Sequence, residues 1–129
     1  MKDDALTAEL KFPLNFAMEF SRIDPLTHQI RMSQLLPRPP EEAFSFFEDP
    51  RNLPGITPPW LRFTVDASDR EKPVSEGAVF HYRLCWLGTY LRWQCRIVDY
   101  RPPERFTDVQ VKGPYGYWKH LHIFERVTE

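Results

Sequence analysis

The stretch VFHYRLCWLGTYLRWQCRIVD, residues 79–99, decides the fold. Apolar and polar side chains alternate on both sides of Gly88, the pattern of two half-buried strands joined by a tight turn. Gly88-Thr89 reads as a two-residue turn with glycine first, the type II′ arrangement. That turn sets Trp86 opposite Leu91, Leu84 opposite Trp93 and Tyr82 opposite Cys95. Opposed residues share a face, so these six side chains are expected to point inward together. The other face, with Cys85 opposite Arg92, Arg83 opposite Gln94 and His81 opposite Arg96, should meet water. Its arginines Arg83, Arg92 and Arg96 read as a solvated stripe. The two cysteines fall on opposite faces, so no disulfide is expected, and their spacing fits neither a zinc nor a redox motif.

Downstream, a second hairpin is expected from Phe106 to about Val127, turning at Gly113-Pro114-Tyr115-Gly116. Symmetric pairing about that turn sets Val111 opposite Trp118, Val109 opposite His120 and Thr107 opposite His122. This set is taken as the inner face. Phe106, Asp108, Gln110, Lys119, Leu121 and Ile123 then lie outside. One more loop residue would exchange the two faces, and Asp108 would then stand beside an inward group.

Upstream, residues 9–20 alternate strictly, with Leu10, Phe12, Leu14, Phe16, Met18 and Phe20 on one face of a strand. Pro13 suits an edge position. A second strand covers 27–35, and 39–49 reads as a short helix opened by Pro39 and Pro40, with Glu41 and Glu42 complementing its dipole. Ala43, Phe44, Phe46 and Phe47 supply its buried stripe. Residues 50–59 form a proline-broken connection holding at most a helical turn, and 60–65 reads as a strand. Strands of this kind with one short helix predict an α+β domain built on a curved antiparallel sheet.

The 129 residues suit one domain, with 1–26 as an N-terminal extension. A hydrophobic content of 42% excludes disorder, and a net charge of −1 offers no basic surface for a phosphate backbone, so nucleic acid is not expected as a partner. No apolar run approaches the roughly 20 residues of a membrane span, and Lys2, Asp3 and Asp4 lead into no signal-peptide core. A cytoplasmic protein with free thiols is the expectation. There is no Gly-rich phosphate loop and no nucleophile elbow, and no cofactor is called for.

The sequence from Leu36-Pro37-Arg38-Pro39-Pro40-Glu41-Glu42-Ala43-Phe44, through Phe46-Phe47-Glu48-Asp49, Asn52-Leu53 and Ile56-Thr57-Pro58, resembles the SRPBCC superfamily of START-like proteins and polyketide cyclases/dehydrases. Phe106-Thr107-Asp108-Val109-Gln110, Gly113-Pro114-Tyr115, Trp118, His120, His122 and Phe124 carry the resemblance furthest, and it spans residues 28–127. It implies a helix-grip fold, in which a bent antiparallel sheet grips a long C-terminal helix over a hydrophobic cavity. The sequence reaches Glu129 without that last strand and helix, and it adds the alternating N-terminal segment, so a C-terminally truncated version is expected.

The expected ligand-binding residues are Tyr82, Leu84, Trp86, Trp93, Cys95, Trp118, His120, His122 and Phe124, lining a cavity for a lipid, isoprenoid or polyketide-like molecule. The same aromatics can equally be plain core. His120 and His122, two apart on a strand, share a face. They can act as acid and base, bond a ligand carbonyl, or form a polar belt in the sheet. A metal would need a third ligand, for which the sequence shows no companion motif, and no metal site is assigned. Binding without chemistry is the first reading. A cyclase/dehydrase using His120 or His122 is the second, and a truncated oligomerisation module the third. A homodimer is expected, because the apolar face of the N-terminal strand and the uncovered sheet both need burial.

Overall fold

The computed structural model describes residues 16–127. The chain divides into two compact units, Met1–Arg38 and Pro39–Glu129. In the first, strand β1 (Phe16–Asp24) and strand β2 (Thr27–Gln34) form an antiparallel hairpin. Asp24 stabilises its turn by accepting the Leu26 amide at 2.9 Å. The register places Met18 against Met32 and Phe20 against Ile30, so one face is apolar, and all four side chains are exposed. The other face pairs Glu19 with Arg31 and Ser21 with Gln29. The part of the expected first strand before residue 16 lies outside the described residues; the described part runs on to Asp24.

The second unit opens with helix α1 (Pro40–Glu48). Pro40 stands where its missing amide costs nothing, and Glu41 and Glu42 face the positive end of the helix dipole. Ala43, Phe44 and Phe46 are buried. Asp49 then turns the chain, accepting the Arg51 amide at 3.0 Å, and Asn52 donates to the Phe46 carbonyl at 2.9 Å. A 3-10 turn (Pro50–Asn52), one helical turn α2 (Leu53–Ile56) and another 3-10 turn (Pro59–Leu61) make up the proline-rich connection. The strand expected over 60–65 is only β3 (Thr64–Val65). The cause is local: Pro58 and Pro59 start the 3-10 turn, and Arg62 takes a left-handed conformation at φ 47° that breaks the pleat.

Strands β4 (Val79–Trp86), β5 (Thr89–Arg101), β6 (Arg105–Lys112) and β7 (Lys119–Ile123) complete an antiparallel meander in the order β3-β4-β5-β6-β7. The α+β class with antiparallel sheets and few short helices therefore holds. Two irregularities bend the β5–β6 ladder: Val111 is an extra residue of β6, opposite Gln94/Cys95, and Val98 an extra residue of β5, between Ile97 and Asp99. The second returns Tyr100 to the face that carries α1, where its ring meets Phe44 at 5.8 Å and its hydroxyl donates to Glu48. Phe44, Phe80, Ile97 and Phe106 form the core there, flanked by Phe47, Tyr82 and Phe124. Each such buried side chain contributes about 1.5–3 kcal/mol. No helix among the described residues is long and apolar enough to cross a membrane.

Both hairpins differ in register from the sequence reading, with opposite consequences. The β4–β5 turn is Leu87-Gly88, at φ 50° and 80°, which is type I′ and not Gly88-Thr89. Leu84 therefore faces Leu91, Tyr82 faces Trp93 and Phe80 faces Cys95. That displacement is two residues, so every side chain keeps its face. The β6–β7 pairing sets Asp108 opposite His120 and Phe106 opposite His122. That displacement is one residue, so Phe106, Asp108 and Gln110 move to the face of Trp118, His120 and His122, while Thr107, Val109 and Val111 leave it.

Candidate functional site

The corrected register strings aromatic rings in a row across the helix-bearing face. Phe44 of α1 meets Phe106 edge-on at 5.5 Å, and Phe106 stacks on His122 at 4.2 Å with the planes 12° apart. His122 lies 3.8 Å from His120, and His120 5.5 Å from Trp118. Trp118 packs edge-on against Trp93 at 4.9 Å, and Trp93 reaches Tyr115 at 5.8 Å. After the first step from α1, each joins residues brought side by side by β5, β6 and β7, or by the loop after β6, so that part of the row is a product of strand pairing.

Asp108 stands in the middle of this row. Its Oδ2 lies 3.1 Å from His122 Nε2, with both side chains mostly withdrawn from water. One ligand-type atom from each of Asp108, His120 and His122 lies within 4.8 Å of the others. Loss of water among the rings, and secondly the neighbouring His122, push the His120 imidazole down to about 4, against the opposing pull of Asp108. His120 is nonetheless an exposed residue, and its imidazole is neutral at physiological pH. The Cys95 thiol is pushed up to about 12, by burial first and Asp108 second, and stays protonated. Burial likewise raises the Tyr82 phenol. Tyr82 and Cys95 behave as packing groups.

The loop after β6 is pinned to the row. Gln110 donates from Nε2 to the Tyr115 carbonyl at 2.6 Å and accepts the Tyr115 amide at 3.2 Å. Gly113 passes so close to the Gln110 side chain and to Trp93 Cδ1 that a β-carbon there would collide with the Gln110 amide. Beneath the loop, the Trp93 Nε1 donor is buried and has no hydrogen-bond partner among the described residues. A buried donor in that state is uncommon in a folded protein.

Of the expected ligand residues, Trp93, Trp118, His120 and His122 form one continuous cluster, and Phe124 joins it through Phe106 at 6.2 Å. Tyr82 sits across from Trp93 and contacts Phe63 at 5.0 Å, while Leu84 and Cys95 are buried in the sheet. Trp86 shares their face but stands half exposed at the hairpin tip, beside Thr89. Asp108, Gln110 and Tyr115 were not among the expected site residues. The sequence reading puts Asp108 and Gln110 on the outer face through the one-residue error, and it gives Tyr115 only as part of the turn. A separate cleft of about 270 Å³ is lined by charged and polar groups including Glu48, Asp49 and Lys72, and shares none of the expected ligand residues. Comparison with protein families, with curated proteins and with solved structures found no match for this chain. The resemblance to SRPBCC proteins thus rests on the quoted motifs.

Proposed function

We propose that the helix-bearing face of the five-stranded sheet binds a small molecule with an apolar body and a hydrogen-bond acceptor, of the lipid, isoprenoid or polyketide kind, in a START-like manner. The buried Nε1–H of Trp93, without a partner among the described residues, carries this reading. A donor left without an acceptor costs about 1–3 kcal/mol, and an acceptor on a bound molecule would recover it. The flanking rings of Trp118 and Tyr115 supply apolar surface, and Asp108, His120 and His122 supply a polar end. Such a mixture, mostly aromatic with a few convergent polar groups, is what small-molecule sites present. Titration of ¹⁵N-labelled protein with fatty acids, isoprenoids and flavonoid-like compounds tests it. The Trp93 indole resonance should shift on saturation, and Trp93→Phe should weaken binding while keeping the fold. No saturable shift across those classes would overturn the reading.

A second reading is favoured by one contact, the bond between His122 and Asp108 at 3.1 Å. A carboxylate in that position orients an imidazole for proton transfer. A cyclase/dehydrase-like enzyme would lose turnover in His122→Gln while keeping its affinity for substrate.

For assembly, we propose a homodimer through the β1–β2 hairpin. A two-stranded hairpin is at best marginally stable in water, yet this one leaves Met18, Phe20, Ile30 and Met32 each more than half exposed. The same apolar face on a second copy offers a twofold, self-complementary cover.

A further inference from the structure

We propose that Asp108, His120 and His122 form a binding site for a divalent first-row transition-metal ion of the zinc class. The site stands whether or not an organic ligand occupies the aromatic face. Three observations carry it. The first is proximity: one donor atom from each side chain lies within 4.8 Å of the other two. Ligands held about 2.0–2.2 Å from one ion lie at most about 4 Å apart, so small side-chain rotations complete the set.

The second is the scaffold. Asp108 and His120 are direct cross-strand partners on β6 and β7, and His122 follows two residues on, on the same face. Paired strands hold such a triad more firmly than loops do. Stacking on Phe106 fixes the His122 ring, leaving little freedom to lose on binding. The 3.1 Å contact between His122 Nε2 and Asp108 Oδ2 satisfies both atoms in the metal-free protein, and a cation would take the place of the shared proton.

The third is chemistry and access. Two imidazoles and one carboxylate suit zinc, cobalt, nickel or copper, whereas magnesium and calcium require sets of oxygen ligands. His122 and Asp108 are mostly covered, while His120 is exposed. The ion would have three protein ligands and open positions toward solvent, the arrangement of reactive rather than structural zinc sites.

The test uses the full-length, untagged chain, stripped with a chelator and titrated with Co²⁺. Visible d–d absorption should saturate at one ion per chain, and Zn²⁺ should displace the cobalt and raise the thermal midpoint. His120→Gln and His122→Gln should each weaken Co²⁺ binding by more than the about 10- to 100-fold that loss of a supporting residue costs. His81→Gln, which removes the histidine paired with Asp69, should leave binding unchanged. Because His120 is exposed, its substitution leaves the fold in place and decides the matter even if His122→Gln does not fold. A wild-type chain without a saturable band would overturn the proposal, as would unchanged affinity in His120→Gln. Neither outcome bears on the binding of apolar molecules, which is measured without metal.

Discussion

Asp69 is almost fully buried and remains a carboxylate because of its partners. Lys72 Nζ lies 2.7 Å from Oδ1, while the His81 amide, at 2.7 Å, and the His81 ring, at 2.9 Å, meet Oδ2. Burial pushes its pKa up, but Lys72 and the two groups of His81 outweigh burial and hold it below the usual carboxylate range. A carboxyl lowered on folding adds stability above its unfolded pKa, near 3.9, and loses it as pH falls through the folded value. Asp69→Asn should therefore be clearly less stable than wild type at neutral pH. The gap should narrow as the pH drops below about 4, where the carboxyl of the unfolded chain takes up its proton, and close at the lower pH at which the folded one does. Urea melts of both proteins across that range read the difference directly, and a constant gap would show that Asp69 acts by shape alone. Asp108 is the opposite case at the same scale. Nothing about its own residue type marks it, and its place beside His120 and His122 comes from strand pairing.

At the scale of elements, the β4–β5 hairpin holds a mismatch between residue and turn. A type I′ turn needs positive φ at both central positions, which suits Gly88, but Leu87 at φ 50° is forced into the left-handed region. Leu87 is also almost fully exposed, so its side chain gains little from packing. Leu87→Asn should stabilise the protein by about 1 kcal/mol, because asparagine tolerates that conformation and Asn-Gly favours this turn. Chemical denaturation reads the gain, and a loss of stability would mean that Leu87 packs in solution. The β6–β7 hairpin was legible as a hairpin from its glycines and alternating strands, but its register was not. The loop is held by the Gln110 amide on the Tyr115 backbone, and Phe106 lies under Phe44 of α1. Neither contact follows from the spacing of the turn residues.

For the whole molecule, the division at Arg38 leaves the buried core, among the described residues, in the second unit. The hairpin of the first unit shows its apolar face, and dimerisation through that face has a direct check. Sedimentation equilibrium at micromolar concentration should give a dimer for the full chain. Phe20→Ser with Ile30→Ser, cross-strand partners on the exposed face, should give a folded monomer. A wild-type monomer would refute the interface.

The amino-acid sequence by itself determined the helix, read over 39–49 and found over 40–48, the two antiparallel hairpins of the sheet and the faces of β4 and β5, but not the 3-10 turn where a strand is expected over 60–65. These follow from local patterns: alternation with a period of two, prolines at helix starts, and a glycine at a turn. A two-residue error in the first turn therefore left Tyr82, Leu84, Trp86, Leu91, Trp93 and Cys95 on one face, although Trp86, at the hairpin tip, is exposed. Only the tertiary structure decided that Asp108 shares a face with His120 and His122, and that Trp93 Nε1 is buried without a partner among the described residues. The physical reason is the same period of two. A one-residue change in loop length inverts every side chain of β6 without altering its alternation, and the contacts that select the length, Phe106 on Phe44 and Gln110 on Tyr115, form only once the chain has folded.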